Sequence, residues 1–142
     1  SATRANSVAY AQHGTKCLLV TYSAELSGAQ VTATGLVIGR TYIASAYVWN
    51  PTGNPSVGLA VGGGTSTRTN TNDTWHRLSR SFVATTSAHT LQLGGLTTGG
   101  TSRFYVDSVM LDEGSTLSTF TTTTAPIAHS ANRTSPKPTA AP

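Results

Sequence analysis

Tyr42-Ile43-Ala44-Ser45-Ala46-Tyr47-Val48-Trp49 is the stretch whose reading decides the fold. At a period of two it puts Tyr42, Ala44, Ala46 and Val48 on one face and Ile43, Ser45, Tyr47 and Trp49 on the other. Successive side chains of a strand point to opposite sides, so this is a β-strand pattern. No segment of the chain sustains a helical period, and the helix-favouring Glu and Lys are scarce. The fold is all-β.

Working outward, the same alternation recurs in short runs bounded by turn residues. Upstream lie Cys17 to Tyr22, a buried strand, and Gln30 to Thr34, a weaker one with Val31 and Ala33 inward. Downstream, Asn50-Pro51-Thr52-Gly53-Asn54-Pro55 is a turn-rich loop. Val57, Leu59 and Val61 then alternate with Gly58, Ala60 and Gly62, a strand with one nearly bare face. Residues 62–72 read as a long polar loop. Trp75 to Val83, His89 to Leu93 and Arg103 to Leu111 complete the set, with Asp112-Glu113-Gly114 as the closing loop. Seven to nine strands at this spacing predict a jelly-roll β-sandwich of two antiparallel sheets, with Tyr42, Phe82 and Phe104 in its core.

The chain has 142 residues, enough for one domain and a tail. We expect the sandwich over 1–120 and an extended Pro/Thr-rich tail or linker over 121–142, where large apolar residues are too few for a core. An ordered tail of that composition needs a surface to lie on, so a neighbouring virion chain or another part of a parent polypeptide is the expected partner. Ser1 in place of Met is the start expected of a processed or excised chain, and no signal peptide is read. Cys17 is the single cysteine, so an internal disulfide is impossible; its place in an apolar run reads as a small buried hydrophobe.

The net charge is +4, which raises nucleic acid as a partner. The cations decide against it. Arg4, Lys16, Arg40, Arg68, Arg77, Arg80 and Arg103 are scattered singly, and Arg77 and Arg80 fall on opposite faces of one strand. A groove that tracks phosphates needs several on one surface. Charged residues are only 10% of the chain, against about 25% in an ordinary globular domain. A Thr- and Gly-rich, Lys-poor composition fits a virion or extracellular surface. No apolar run reaches the roughly 18 residues of a membrane-spanning helix, so no membrane insertion is expected.

Gly39-Arg40-Thr41-Tyr42, then Ser45-Ala46-Tyr47-Val48, Trp75-His76-Arg77-Leu78 with Phe82, and Phe104-Tyr105-Val106-Asp107-Ser108-Val109-Met110-Leu111 occur in that order. In order and spacing they resemble carbohydrate-binding modules of families four and nine, which have a galactose-binding-like jelly-roll fold. The resemblance covers most of residues 15–120. Val109-Met110-Leu111 followed by Glu113-Gly114-Ser115 is similar to domains in minor tail proteins of phages that infect actinobacteria. It implies a non-catalytic module on a phage virion, attaching to a glycan or bacterial cell-surface polysaccharide. A purely structural virion protein, decorating or cementing a capsid or tail, is one alternative; a glycan-targeting module of a secreted bacterial enzyme is another. Asp107 matches an aspartate that often contributes to a structural calcium site in such modules. The Asn-Pro-aromatic-Glu opening that helps build that site is missing before Gly14, so Asp107 also reads as a plain hydrogen-bond acceptor.

Glycan binding needs aromatic faces for the apolar side of a sugar, with polar groups around it. Tyr47 and Trp49 share a strand face about 6.6–6.8 Å apart, a stacking platform for neighbouring sugars. Trp75 and Arg77 form a similar face on another strand. These four are the candidate glycan-binding residues, set against the rule that aromatic rings in sandwiches fill the core. For glycoside cleavage, paired carboxylates are required, and the five acids Glu25, Asp73, Asp107, Asp112 and Glu113 show no such pairing. His13, His76, His89 and His129 lack companions at metal-ligand spacing. No enzyme activity is expected.

Overall fold

The computed structural model describes residues 2–8, 10–25, 27–95 and 101–120. Its strands, in chain order, are β1 (Ala2–Ser7), β2 (Cys17–Tyr22), β3 (Gly28–Thr34), β4 (Thr41–Trp49), β5 (Val57–Val61), β6 (Thr67–Thr69), β7 (Trp75–Val83), β8 (Ala88–Gly95) and β9 (Ser102–Glu113). They form two antiparallel sheets, one ordered β1-β2-β9-β4-β7 and the other β3-β8-β5-β6. The chain is the jelly-roll sandwich its alternation predicts. The tail expected over 121–142 lies outside the described residues.

The core sits between the sheets and is filled by one parity of each strand. Val20 and Tyr22 from β2, Ala44, Ala46 and Val48 from β4, and Phe104 and Val106 from β9 meet Val57, Leu59 and Val61 from β5 and Leu91 and Leu93 from β8. Removing this apolar area from water is the main term that holds the sheets together. Tyr42 packs with Leu36 and Ala84 in a satellite cluster that Phe82 joins. The packing leaves no room at two positions: a Cβ on Gly28 would overlap the backbone carbonyl of Leu93, and one on Gly95 the phenol of buried Tyr22.

Three local readings need correction, and one strand has no reading in the sequence. β1, Ala2 to Ser7, has no apolar alternation, yet it pairs along all of β2 because that strand's open edge offers a ladder of hydrogen-bonding groups. Thr67–Thr69 lies in the expected polar loop but forms β6 against Val57–Leu59. Val31 has inward parity but stays 51% exposed, since β3 is an edge strand of its sheet. Asp112 and Glu113, expected in a closing loop, belong to β9 and pair with Ile43 and Tyr42.

β9 also carries a bulge. Between the pairs Tyr47↔Asp107 and Ser45↔Met110, β4 advances two residues while β9 advances three. Ser108 absorbs the extra residue with φ 52°. Parity flips there. Tyr105 and Asp107 point outward before the bulge, Met110 and Asp112 after it, and Leu111 turns toward the core.

Candidate functional site

The outer face of the five-stranded sheet gathers every candidate residue. Register builds it in rows. Trp75, Trp49, Tyr105 and Leu19 stand side by side on β7, β4, β9 and β2. The next row along the strands holds Arg77, Tyr47 and Asp107. The four residues read as glycan-binding are therefore neighbours, and Asp107 joins them.

The face is not bare. Segment 10–13, between β1 and β2, lies across it. Tyr10 stacks on Trp49 with centroids 4.7 Å apart and planes 21° apart, and it meets Tyr105 edge-on at 4.8 Å. Trp49 in turn meets Trp75 edge-on at 5.9 Å. The polar anchor of the segment is Asp107, whose Oδ2 accepts hydrogen bonds from the backbone N–H groups of Gln12 and His13 at 2.9 and 3.0 Å. The His13 ring shares a hydrogen bond with the Ser108 hydroxyl at 2.7 Å and packs between Tyr47 and Phe120. Ser118 donates to Asp112 from its amide and its hydroxyl, bringing the chain after β9 back to the same face.

Each platform residue thus has a neighbour of its own. Arg77 spreads its guanidinium over the Tyr47 ring, 5.6 Å from the centroid, and donates to the Ser45 hydroxyl at 3.1 Å. That cover is why Ser45, of outward parity, is fully buried. Trp49, Trp75 and Tyr47 are half-buried, while Tyr10 is the outermost ring of the cluster at 39% exposure. Tyr10, Tyr105 and His13 carry the arrangement and were not among the sequence candidates. Alternation could have found Tyr105, which has the parity opposite to core Phe104. Tyr10 lies in a segment without strand pattern and gave no signal.

Beside the aromatic row the face opens into a groove of about 480 Å³. Leu19 and Thr21 of β2 form its floor with Arg103 of β9, and the β4–β5 loop at Pro51–Asn54 forms a wall. The loop is held from below. Asn72 Nδ2 lies within hydrogen-bonding distance of the carbonyls of Asn50, Pro51 and Asn54, at 3.2, 3.0 and 3.4 Å. Asp73, at φ 56°, accepts from the Thr52 amide and hydroxyl. Asn54 reaches across to donate to the Arg103 carbonyl.

Solved structures with this architecture include the C-terminal family 22 carbohydrate-binding module of Clostridium thermocellum Xyn10B, at 19% identity and TM-score 0.61, covering 82% of this chain and 84% of that one. Another is the xylan-binding CBM22-1 domain of Paenibacillus barcinonensis Xyn10C, at 16% identity and TM-score 0.58, covering 79% and 81%. A family 4 module aligns at 20% identity and TM-score 0.51 over 69% of this chain and 84% of that one. The fold is that of a carbohydrate-binding module. No family model matches the chain, and no curated protein does either.

The surroundings of Asp107 do not suit a calcium ion. Oδ2 faces two N–H donors and Oδ1 faces the Ser108 hydroxyl, so the carboxylate is turned toward hydrogens rather than toward a cation's other oxygen ligands. Among the described residues no three His, Cys, Asp or Glu side chains gather. Four of the five carboxylates have local partners: Asp73 holds a loop, Asp107 the segment 10–13, Asp112 Ser118, and Glu113 pairs with Arg40 at 2.8 Å.

Proposed function

We propose that this chain is a non-catalytic glycan-binding module whose ligand lies along the outer face of the five-stranded sheet. One observation carries the reading: the row Trp75–Trp49–Tyr105, capped by Tyr10, runs directly into a groove lined by hydroxyl and amide groups. Rings of this kind take the apolar face of a pyranose, and the groove supplies partners for its hydroxyls. Tyr10 and Trp75 are the contact rings, while Trp49 and Tyr105 back them. Tyr47 and Arg77 set the shape of the next row. That four carboxylates are held by local donors supports a binding role over a hydrolytic one.

The setting we propose is extracellular, on a phage virion or on the parent polypeptide of a secreted protein. The partner is a bacterial cell-surface or environmental polysaccharide. A structural virion role, decorating or cementing a capsid or tail, is the alternative; the aromatic row beside the groove favours glycan binding over it.

Isothermal titration against soluble xylan, β-glucans and purified bacterial wall polysaccharides tests the reading. Xylan comes first because two similar structures are described as xylan-binding. Binding to at least one, weakened about tenfold in Trp75→Ala with the melting transition retained, is the expected result. Absence of binding across the panel, or full affinity in both Trp75→Ala and Tyr10→Ala, overturns it.

A further inference from the structure

We infer that the groove beside the aromatic row selects an anionic sugar, a uronate unit, through Arg103. This rests on the glycan-binding reading above and names the ligand class. Arg103 has the outward parity of Tyr105, two residues further along β9, so its side chain rises from the groove floor about 6.6–6.8 Å from the aromatic row. The remaining lining, including Leu19, Thr21, Thr52, Asn54 and Ser102, is neutral. Among the described lining residues the groove therefore holds one full charge, and it is positive.

That charge is uncommitted. Among the described residues the ion pair formed is Arg40–Glu113, far along the sheet at the opposite end of β4, and no carboxylate pairs with Arg103. Asp73, which reaches the groove wall, is turned to the Thr52 amide and hydroxyl. Arg77, a second cation of this face, is spread over Tyr47 and bonded to Ser45. A guanidinium presents a planar fork that matches a carboxylate in two parallel hydrogen bonds. About 480 Å³ is within the range of small-ligand sites, and the neighbouring threonine and asparagine groups suit sugar hydroxyls. A ring stacked on Tyr10 leaves the next unit of the chain over the groove, where a carboxylate on that unit meets Arg103.

The test uses oligomers of galacturonate, glucuronate and mannuronate, each paired with its carboxyl-reduced counterpart, titrated into the full chain and into Arg103→Gln. At least one acidic oligomer binds the native chain about tenfold more tightly than its reduced partner, and added salt narrows the gap. In R103Q the acidic and reduced oligomers bind alike. Equal binding of both by the native chain overturns the uronate inference and leaves glycan binding standing. The inference also falls if R103Q keeps the acidic preference, or if a sulfated counterpart binds more tightly than every uronate. Binding of no oligomer and no polysaccharide overturns both readings.

Discussion

Tyr10 stacks on Trp49 with ring centroids 4.7 Å apart and an interplanar angle of 21°, so one aromatic side chain of this protein covers the outward face of another. Under the glycan-binding proposal the ligand meets Tyr10, not Trp49. An aromatic contact of this type is worth about 0.5–1.5 kcal/mol beyond its buried area. Tyr10→Ala is expected to weaken polysaccharide binding about three- to tenfold and to lower stability slightly. Titration with the best ligand checks this. A rise in affinity would show that Tyr10 covers the platform instead of extending it.

Asp107 is the second fastening of segment 10–13. Replacing it by alanine leaves the amides of Gln12 and His13 without their acceptor and should cost about 1–3 kcal/mol. Hydrogen exchange at those two amides reads the effect directly. They should lose protection in Asp107→Ala while the amides of β2 and β4 keep theirs. Uniform loss across the sheet would mean that Asp107 supports the fold as a whole.

The groove wall depends on Asn72. Its amide group lies within reach of three carbonyls of the 50–54 loop, so Asn72→Ala loosens that loop without touching the groove lining. Glycan affinity is expected to fall about three- to tenfold, with a stability loss of about 1–2 kcal/mol by urea titration. Unchanged affinity would remove the loop from the binding surface.

Two buried groups make stability fall in alkali. Burial raises the Tyr22 phenol above its ordinary 10.0 and the Cys17 thiol above its ordinary 9.0. The unfolded chain therefore releases both protons first, the native state holds more protons, and stability declines as pH rises. The decline begins near pH 9 through Cys17, steepens near pH 10 through Tyr22, and ends above the raised native values. Urea denaturation from about pH 8 to about pH 11 should show a shallower slope in the Cys17→Ala, Tyr22→Phe double variant. An equal slope would place the alkaline loss elsewhere.

Alternation along the chain settled the architecture, because burying one face of a strand needs only a local pattern. Val20, Ala44, Val48, Leu59, Leu91 and Phe104 all lie where a period of two puts them. The same pattern placed Tyr47, Trp49, Trp75 and Arg77 on outward faces, and register made them neighbours.

What the pattern could not decide is what lies on top of those faces. The Ser108 bulge reverses parity within β9, and a backbone dihedral leaves no mark in residue alternation. The landing of Tyr10 on Trp49, the capture of the Gln12 and His13 amides by Asp107, and the groove at Arg103 join residues roughly 40 to 95 positions apart. Such contacts depend on how strands order themselves in a sheet, which is a property of the packed whole. The sequence determined that two apolar faces would close on each other; the tertiary structure alone decided which rings and which cation would face outward together.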